Sequence, residues 1–375
     1  MNFLHSSALK AVSAVLTAAL IGCGPNDGSR EFEQAKEAYA VRNLEKAAKL
    51  FEKSVSVSPA DVDRLLYLAR VKLDLGELAA AKDAVERASL NSDGDADVGM
   101  LAAQIAWHMK DYKAAANGFS LLANDERLEP ALCAQAWSAL GVVEMTCENA
   151  HLARVAFLRA LRLDRKNAAA WYHLGLLYRD SFGYLEAALE QFEIFVRLEV
   201  AADPRVQKVQ RTVIPALKEA IAQTTAERPG ASKRNAAACA TAIAKAEAAT
   251  KKGRTKDAVK AWQEAFSADA LSYPAAIGLA RAYGQSDAKK SFEAYRAACA
   301  LRPSAVSTFI TTGALAAKLG FHSQAVEIYS RAVAASPASI DALDGLIRAL
   351  RKVGGKANVA KAYQLYRESI PVKRK

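Results

Sequence analysis

Histidine and cysteine are scarce in this chain of 375 residues, five of each, and their spacing excludes most of the chemistry they could carry. No two cysteines form a CxxC, and no cysteine stands at zinc-ligand spacing from a histidine. A metal site is therefore not expected. His108, His151, His173 and His322 fall in four separate helical stretches, none beside a Ser or Cys in a nucleophile motif. There is no P-loop, no GxGxxG and no HExxH. The chain reads as non-catalytic and without a cofactor. Proline numbers only ten, and β-branched runs are few, which disfavours strands. After residue 23 no run approaches the roughly 20 apolar residues that cross a bilayer. Dense basic blocks are also missing, although the formal charge is +11. The cations read as solubilising charge spread over helix faces, and nucleic acid is not an expected partner.

What is abundant is alanine and leucine, strong helix formers, in a chain that is 52% hydrophobic. The expected class is all-α. The first residues stand apart. Lys10 precedes an apolar stretch, Ala11–Ile21, with the length of a secretory h-region rather than a membrane span. It ends in Leu20-Ile21-Gly22-Cys23, which resembles the bacterial lipobox. That resemblance implies removal of residues 1–22 as a signal peptide, acylation of Cys23, and a periplasm-facing protein of the cell envelope. Two or three acyl chains give stable anchoring where one does not. Residues 23–30 are read as the lipidated cysteine and a flexible tether, since Gly24-Pro25-Asn26-Asp27-Gly28-Ser29 is rich in turn formers. Gly24, where an inner-membrane lipoprotein of enteric bacteria carries Asp, favours the outer membrane by the same resemblance.

The body repeats. Trp137 to Trp171, Leu140 to Leu174 and Gly141 to Gly175 are each one 34-residue step apart. With Tyr178, Ala153, Phe157 and Ala160 they resemble the tetratricopeptide repeat, Trp-x2-Leu-Gly-x2-Tyr followed by Ala-x3-Phe-x2-Ala and Pro. Weaker copies contain Ala35, Ala47, Phe51 and Pro59; Leu68, Ala69, Ala81 and Ala88; and Ala103, Ala115 and Phe119. Later ones contain Ala258, Trp262 and Ala265; Leu279, Ala280, Tyr283, Tyr295, Ala298 and Pro303; and Gly313, Ala325, Tyr329, Ala332 and Pro337. A degenerate last unit holds Leu346, Tyr363 and Tyr366. The implied fold is a right-handed α-solenoid of helix hairpins, about nine in number. Small residues let paired helices approach, and proline ends the second helix. Turns are expected at Arg42-Asn43, Gly76, Lys110-Asp111, Gly253 and Gly320.

The repeats form two arrays, 31–200 with about five units and 236–375 with about four. Between them, 201–235 reads as a helix and linker. Asp203 caps the helix, Pro204 starts it, and it runs to about Gln223 with a kink at Pro215. In the tetratricopeptide family the first helices line a concave groove. By register this implies Arg70, Gln104, Tyr172, Leu176, Arg179, Arg281, Ile310, Arg348 and Arg351 as partner-binding residues. Val142 and Leu176 stand where chaperone-binding members carry carboxylate-clamp residues, so capture of a C-terminal carboxylate is not expected. The recurrent arginines suit an acidic or extended peptide. The expected function is a membrane-anchored scaffold for other proteins. The alternatives are a glycan- or peptidoglycan-binding module and a non-catalytic subunit of an envelope enzyme or secretion complex. Cys133 and Cys147, on one expected helix about 20 Å apart, cannot pair. The internal cysteines read as small buried hydrophobes.

Overall fold

A computed structural model describes residues 27–227, 234–284 and 286–371. Cys23 and the apolar leader lie outside the described residues. The described chain is all-α and divides into two compact units. The first takes in the described residues up to Asn149 together with Arg162–Asp164, and the second Ala150–Leu161 with Arg165 onward. No helix among the described residues is long and apolar enough to cross a membrane.

In the first unit α1 (Ser29–Ala40) pairs with α2 (Leu44–Val57), α3 (Val62–Asp74) with α4 (Leu78–Asn91), and α5 (Ala96–His108) with α6 (Tyr112–Ala123). The helix α7 (Pro130–Thr146) packs on α6. Each hairpin crosses on alanine. Ala35, Ala47, Ala69, Ala81 and Ala115 are wholly buried, so the paired backbones meet without an intervening side chain. The aromatics Phe32, Phe51 and Tyr67 fill the space between successive pairs, with ring centroids 5.4–5.8 Å apart.

The reversals are alike. Arg42, Gly76 and Lys110, spaced 34 residues apart, all take left-handed backbone, as does Glu148. At each, the amide after the left-handed residue donates to the carbonyl five positions back, for example Asn43 to Ala38 and Asp111 to Ala106. This Schellman closure satisfies carbonyls at the helix end. The next residue then starts the following helix: Asn43 and Asp111 accept from the amides of Lys46 and Ala114. Gly253 and Gly320 repeat the closure in the second unit.

The second unit opens with α8 (Ala150–Leu163). Next come α9 (Ala168–Leu177) and α10 (Leu185–Leu198), joined by a π-turn over Tyr178–Phe182. The turn inserts one residue. Ala153 and Phe157 are matched not by residues 34 further on but by Ala188 and Phe192, 35 further on and fully buried. Phe192 lies against Gly175, which leaves no room for a Cβ.

After α10 comes the expected extra helix. Asp203 accepts from the amide of Arg205 and starts α11 (Pro204–Lys208). A π-turn over Val209–Val213 leads into α12 (Ile214–Ala226). The wide turn precedes Pro215, whose missing N–H cannot continue the α pattern. The helix runs past Gln223, so Thr224–Ala226 are helical rather than linker.

Four further hairpins follow. They are α13 (Ala236–Lys251) with α14 (Thr255–Ala268), α15 (Tyr273–Tyr283) with α16 (Ala288–Leu301), α17 (Val306–Lys318) with α18 (His322–Ala335), and α19 (Ile340–Lys352) with α20 (Ala357–Glu368). Cys133, Cys239 and Cys299 are buried free thiols, as expected of small hydrophobes. Cys147 differs. It caps the end of α7 at a reversal and is exposed, because a turn tip has nothing packed over it.

Candidate partner-binding cleft

The residues expected to face a partner are divided between the units. Arg70 on α3 and Gln104 on α5 are half-buried in the first unit, at equivalent places one repeat apart. The other seven lie in the second. Tyr172 is half-buried and packs on Phe192 and Phe195, so much of its ring serves the core. Leu176, one turn further along α9, is half-buried. Arg179 forms a two-pronged ion pair with Asp180 and stacks over Phe192. The Asp180 carboxylate raises its pKa and leaves little unpaired charge for a ligand. Ile310 on α17 is half-buried. Arg348 and Arg351 on α19 are exposed. Arg348 lies close enough to the Tyr329 phenol to oppose the rise that burial gives its pKa, and Arg351 donates to Gln364.

Arg281 lies in a different setting. It lines an open cleft of about 760 Å³ framed by α13, α14 and α15. The floor is Trp262 of α14, only 8% exposed. Gly278 of α15 sits directly against its indole and leaves no room for a Cβ, so α15 approaches α14 closely. One wall is the end of α13, with Glu247, Thr250 and Lys251. The other is Tyr273 and Arg281 of α15, with Arg302 reaching in from beyond α16. Tyr273 is fixed at both ends. Ser272 caps the start of its helix, and its hydroxyl lies 2.6 Å from Thr308 Oγ1 on α17. The Arg302 guanidinium lies over the Tyr273 ring, 4.1 Å from the centroid, a cation–π contact that holds the charge at the rim.

The cleft thus joins an indole floor to three cations, Lys251, Arg281 and Arg302, against the single carboxylate of Glu247. Such a surface can bury an apolar side chain and pair with carboxylates beside it. Of the lining residues, register on the sequence had marked only Arg281. Trp262 was visible as a repeat position, but nothing local indicates that it lines a cleft.

The start of the described chain is also built in. The Asp27 carbonyl accepts from Arg64 Nη1 at 2.7 Å, and the Gly28 carbonyl accepts from Ser54 Oγ at 3.0 Å. Arg64 and Ser54 are both buried. Asp27 and Gly28, expected to be tether, are bonded to the body.

Residues 38–105 match the family model for the tetratricopeptide repeat. Comparison with curated proteins returned no match. Among solved structures, the chain is similar to a thermophilic tetratricopeptide protein of Thermus thermophilus. Identity is 21%, coverage 50% of this chain and 99% of that one, and the TM-score 0.42. It is similar to pilF of Pseudomonas aeruginosa at 18% identity, covering 54% and 93%, with a TM-score of 0.43. It is also similar to MamA of Desulfovibrio magneticus RS-1 at 16% identity, covering 48% and 98%, with a TM-score of 0.40.

Proposed function

From a chain of tetratricopeptide repeats whose second unit carries a basic, indole-floored cleft, we propose a non-catalytic scaffold that holds an acidic segment of a partner protein and is itself lipid-anchored in a bacterial envelope. The observation that carries the binding reading is the cleft between α13 and α15, with Lys251, Arg281 and Arg302 around Trp262. An extended acidic peptide with one apolar side chain satisfies both the floor and the rim. Arginine suits that task because its planar fork pairs with carboxylates in two-pronged fashion.

The anchored setting rests on the sequence. Leu20-Ile21-Gly22-Cys23 closes an h-region, and acylation there would leave the body facing the periplasm, with the outer membrane preferred. The bonds at Asp27 and Gly28 support a short leash. From Cys23 to Asp27 the backbone can span no more than about 14 Å at its full reach per residue. An anchored body would stay close to the lipid surface.

The test is crosslinking and affinity capture from the native envelope, with lipid labelling of the same samples. Wild type, Cys23→Ala and Arg281→Glu are compared. Lipid label on wild type but not on Cys23→Ala, and a defined set of proteins lost on Arg281→Glu, is the expected result. An unlabelled wild type overturns the anchor. Partners captured equally by Arg281→Glu overturn the cleft.

A further inference from the structure

In a solenoid each repeat touches its neighbours, and residues far apart in sequence do not meet. The second unit breaks that rule at one buried cation. Arg154 of α8 is wholly buried. Its Nε donates to the Tyr363 hydroxyl on α20. Its Nη1 donates to the Ser330 carbonyl on α18 at 3.0 Å, and its Nη2 to Ser330 Oγ at 3.1 Å. Those partners lie 176 and 209 residues away. The guanidinium is sandwiched between two rings, 4.8 Å from the centroid of Phe182 and 5.2 Å from that of Tyr363. No carboxylate among the described residues forms an ion pair with it.

The surroundings are built to suit a cation. Tyr363, while accepting from Arg154, stands 3.2 Å from His151 Nδ1 and can donate its proton there if the imidazole is neutral. Burial and the Arg154 charge press the His151 pKa down to about 3, so the ring is neutral at ordinary pH. Tyr184, stacked on Phe182, reaches α18 with its hydroxyl 3.5 Å from the Glu327 carbonyl, and Arg331 lies over its ring. Tyr178 is fully buried in the same group, and its hydroxyl has no hydrogen-bond partner among the described residues. The rings Tyr178, Phe182 and Tyr184 all come from the π-turn and its exit. The one-residue insertion there therefore supplies the cage.

We propose that Arg154 is a clasp that closes the second unit into a loop, by binding the last hairpins back onto α8. A buried guanidinium with hydrogen bonds and ring faces but no counter-charge is a specific contact of modest net stability. It can hold one closed arrangement and still release. Closure fixes how the last hairpins sit against α8.

Hydrogen exchange on the full chain tests this with Tyr363→Phe, which removes one oxygen, and Arg154→Met, which keeps the volume and removes the charge. The expected result is amide exchange at least tenfold faster in α8, α18 and α20 together, with α15 and the first unit unchanged. Exchange left at the wild-type rate in α18 and α20 overturns the clasp. So does a uniform rise across the second unit, which would mark general destabilisation. If Arg154→Met does not fold, Tyr363→Phe decides. The outcome is independent of partner capture, so the clasp and the cleft can fail separately.

Discussion

His173 lies on α9 with its ring parallel to Phe157, at a centroid distance of 6.0 Å. Burial, with a smaller contribution from Arg205, lowers its pKa from 6.5 to about 4. The folded state therefore holds the imidazole neutral while the unfolded chain protonates near pH 6.5. Below that pH the unfolded state binds more protons, so stability falls as pH drops from 6.5 towards 4 and is fully present above 6.5. The size of the shift corresponds to roughly 3–3.5 kcal/mol, fully lost only below about pH 4. His151, lowered further, acts in the same direction. Urea midpoints at pH 7 and pH 4.5 should show the loss in wild type. His173→Phe, which keeps the stacked ring, should lose correspondingly less. Equal losses in both proteins would exclude His173 as the source. The same residue scale explains why glycine recurs on the first helices. At Gly175, Gly278 and Gly313 a neighbouring ring occupies the place of a Cβ.

A hairpin in this chain is made by its reversal as much as by its apolar faces. The 34-residue series Arg42, Gly76, Lys110 places a left-handed residue at each tip, but only Gly76 takes that conformation without steric cost. Arg42 is compensated by an ion pair to Asp74 at 2.8 Å. At Lys110 the φ of 64° is borne by the turn's own backbone. Lys110→Gly should raise stability by about 0.5–1 kcal/mol, the gain from relieved strain less the added freedom of the unfolded chain. A chemical-denaturation midpoint shifted downward would refute that account of the turn. The π-turn at Tyr178–Phe182 belongs to this scale too. It was legible in principle, because the spacing of small and aromatic residues lengthens from 34 to 35 there, but one extra residue in one repeat is a weak signal against a degenerate pattern.

Over the whole molecule the excess of positive charge is spread thinly, and most of it is solvated. What distinguishes Lys251, Arg281 and Arg302 is that they converge on one apolar floor. Attraction at such a rim is screened over about 10 Å at 0.1 M salt. Partner capture by wild type should therefore weaken as salt rises from about 0.05 to 0.5 M, as the screening length shrinks. Arg281→Glu should show both less capture and a flatter salt dependence. Capture that resists salt in wild type would point to an apolar contact alone. The division into units also cuts across the repeats. The 34-residue motif joins α7 to α8 in sequence, whereas α8 is grouped with the second unit, where Arg154 is bonded to α18 and α20.

Local pattern along the chain was enough for the all-helical class, the repeat length, the reversals and the cap at Asp203. Each of these rests on interactions within a turn or between adjacent helices, and such interactions leave a periodic record in the residues. The repeat register also marks the helix face on which Arg281 lies, and Arg281 lines the cleft. Packing in three dimensions was needed to settle which cations meet around Trp262 and that Asp27 and Gly28 are bonded to Arg64 and Ser54. It was needed again for the burial of Arg154. In sequence Arg154 is one more arginine on an amphipathic helix. Its partners stand as far as 209 residues away, and no local pattern encodes a contact that exists only because the second unit curves back upon itself.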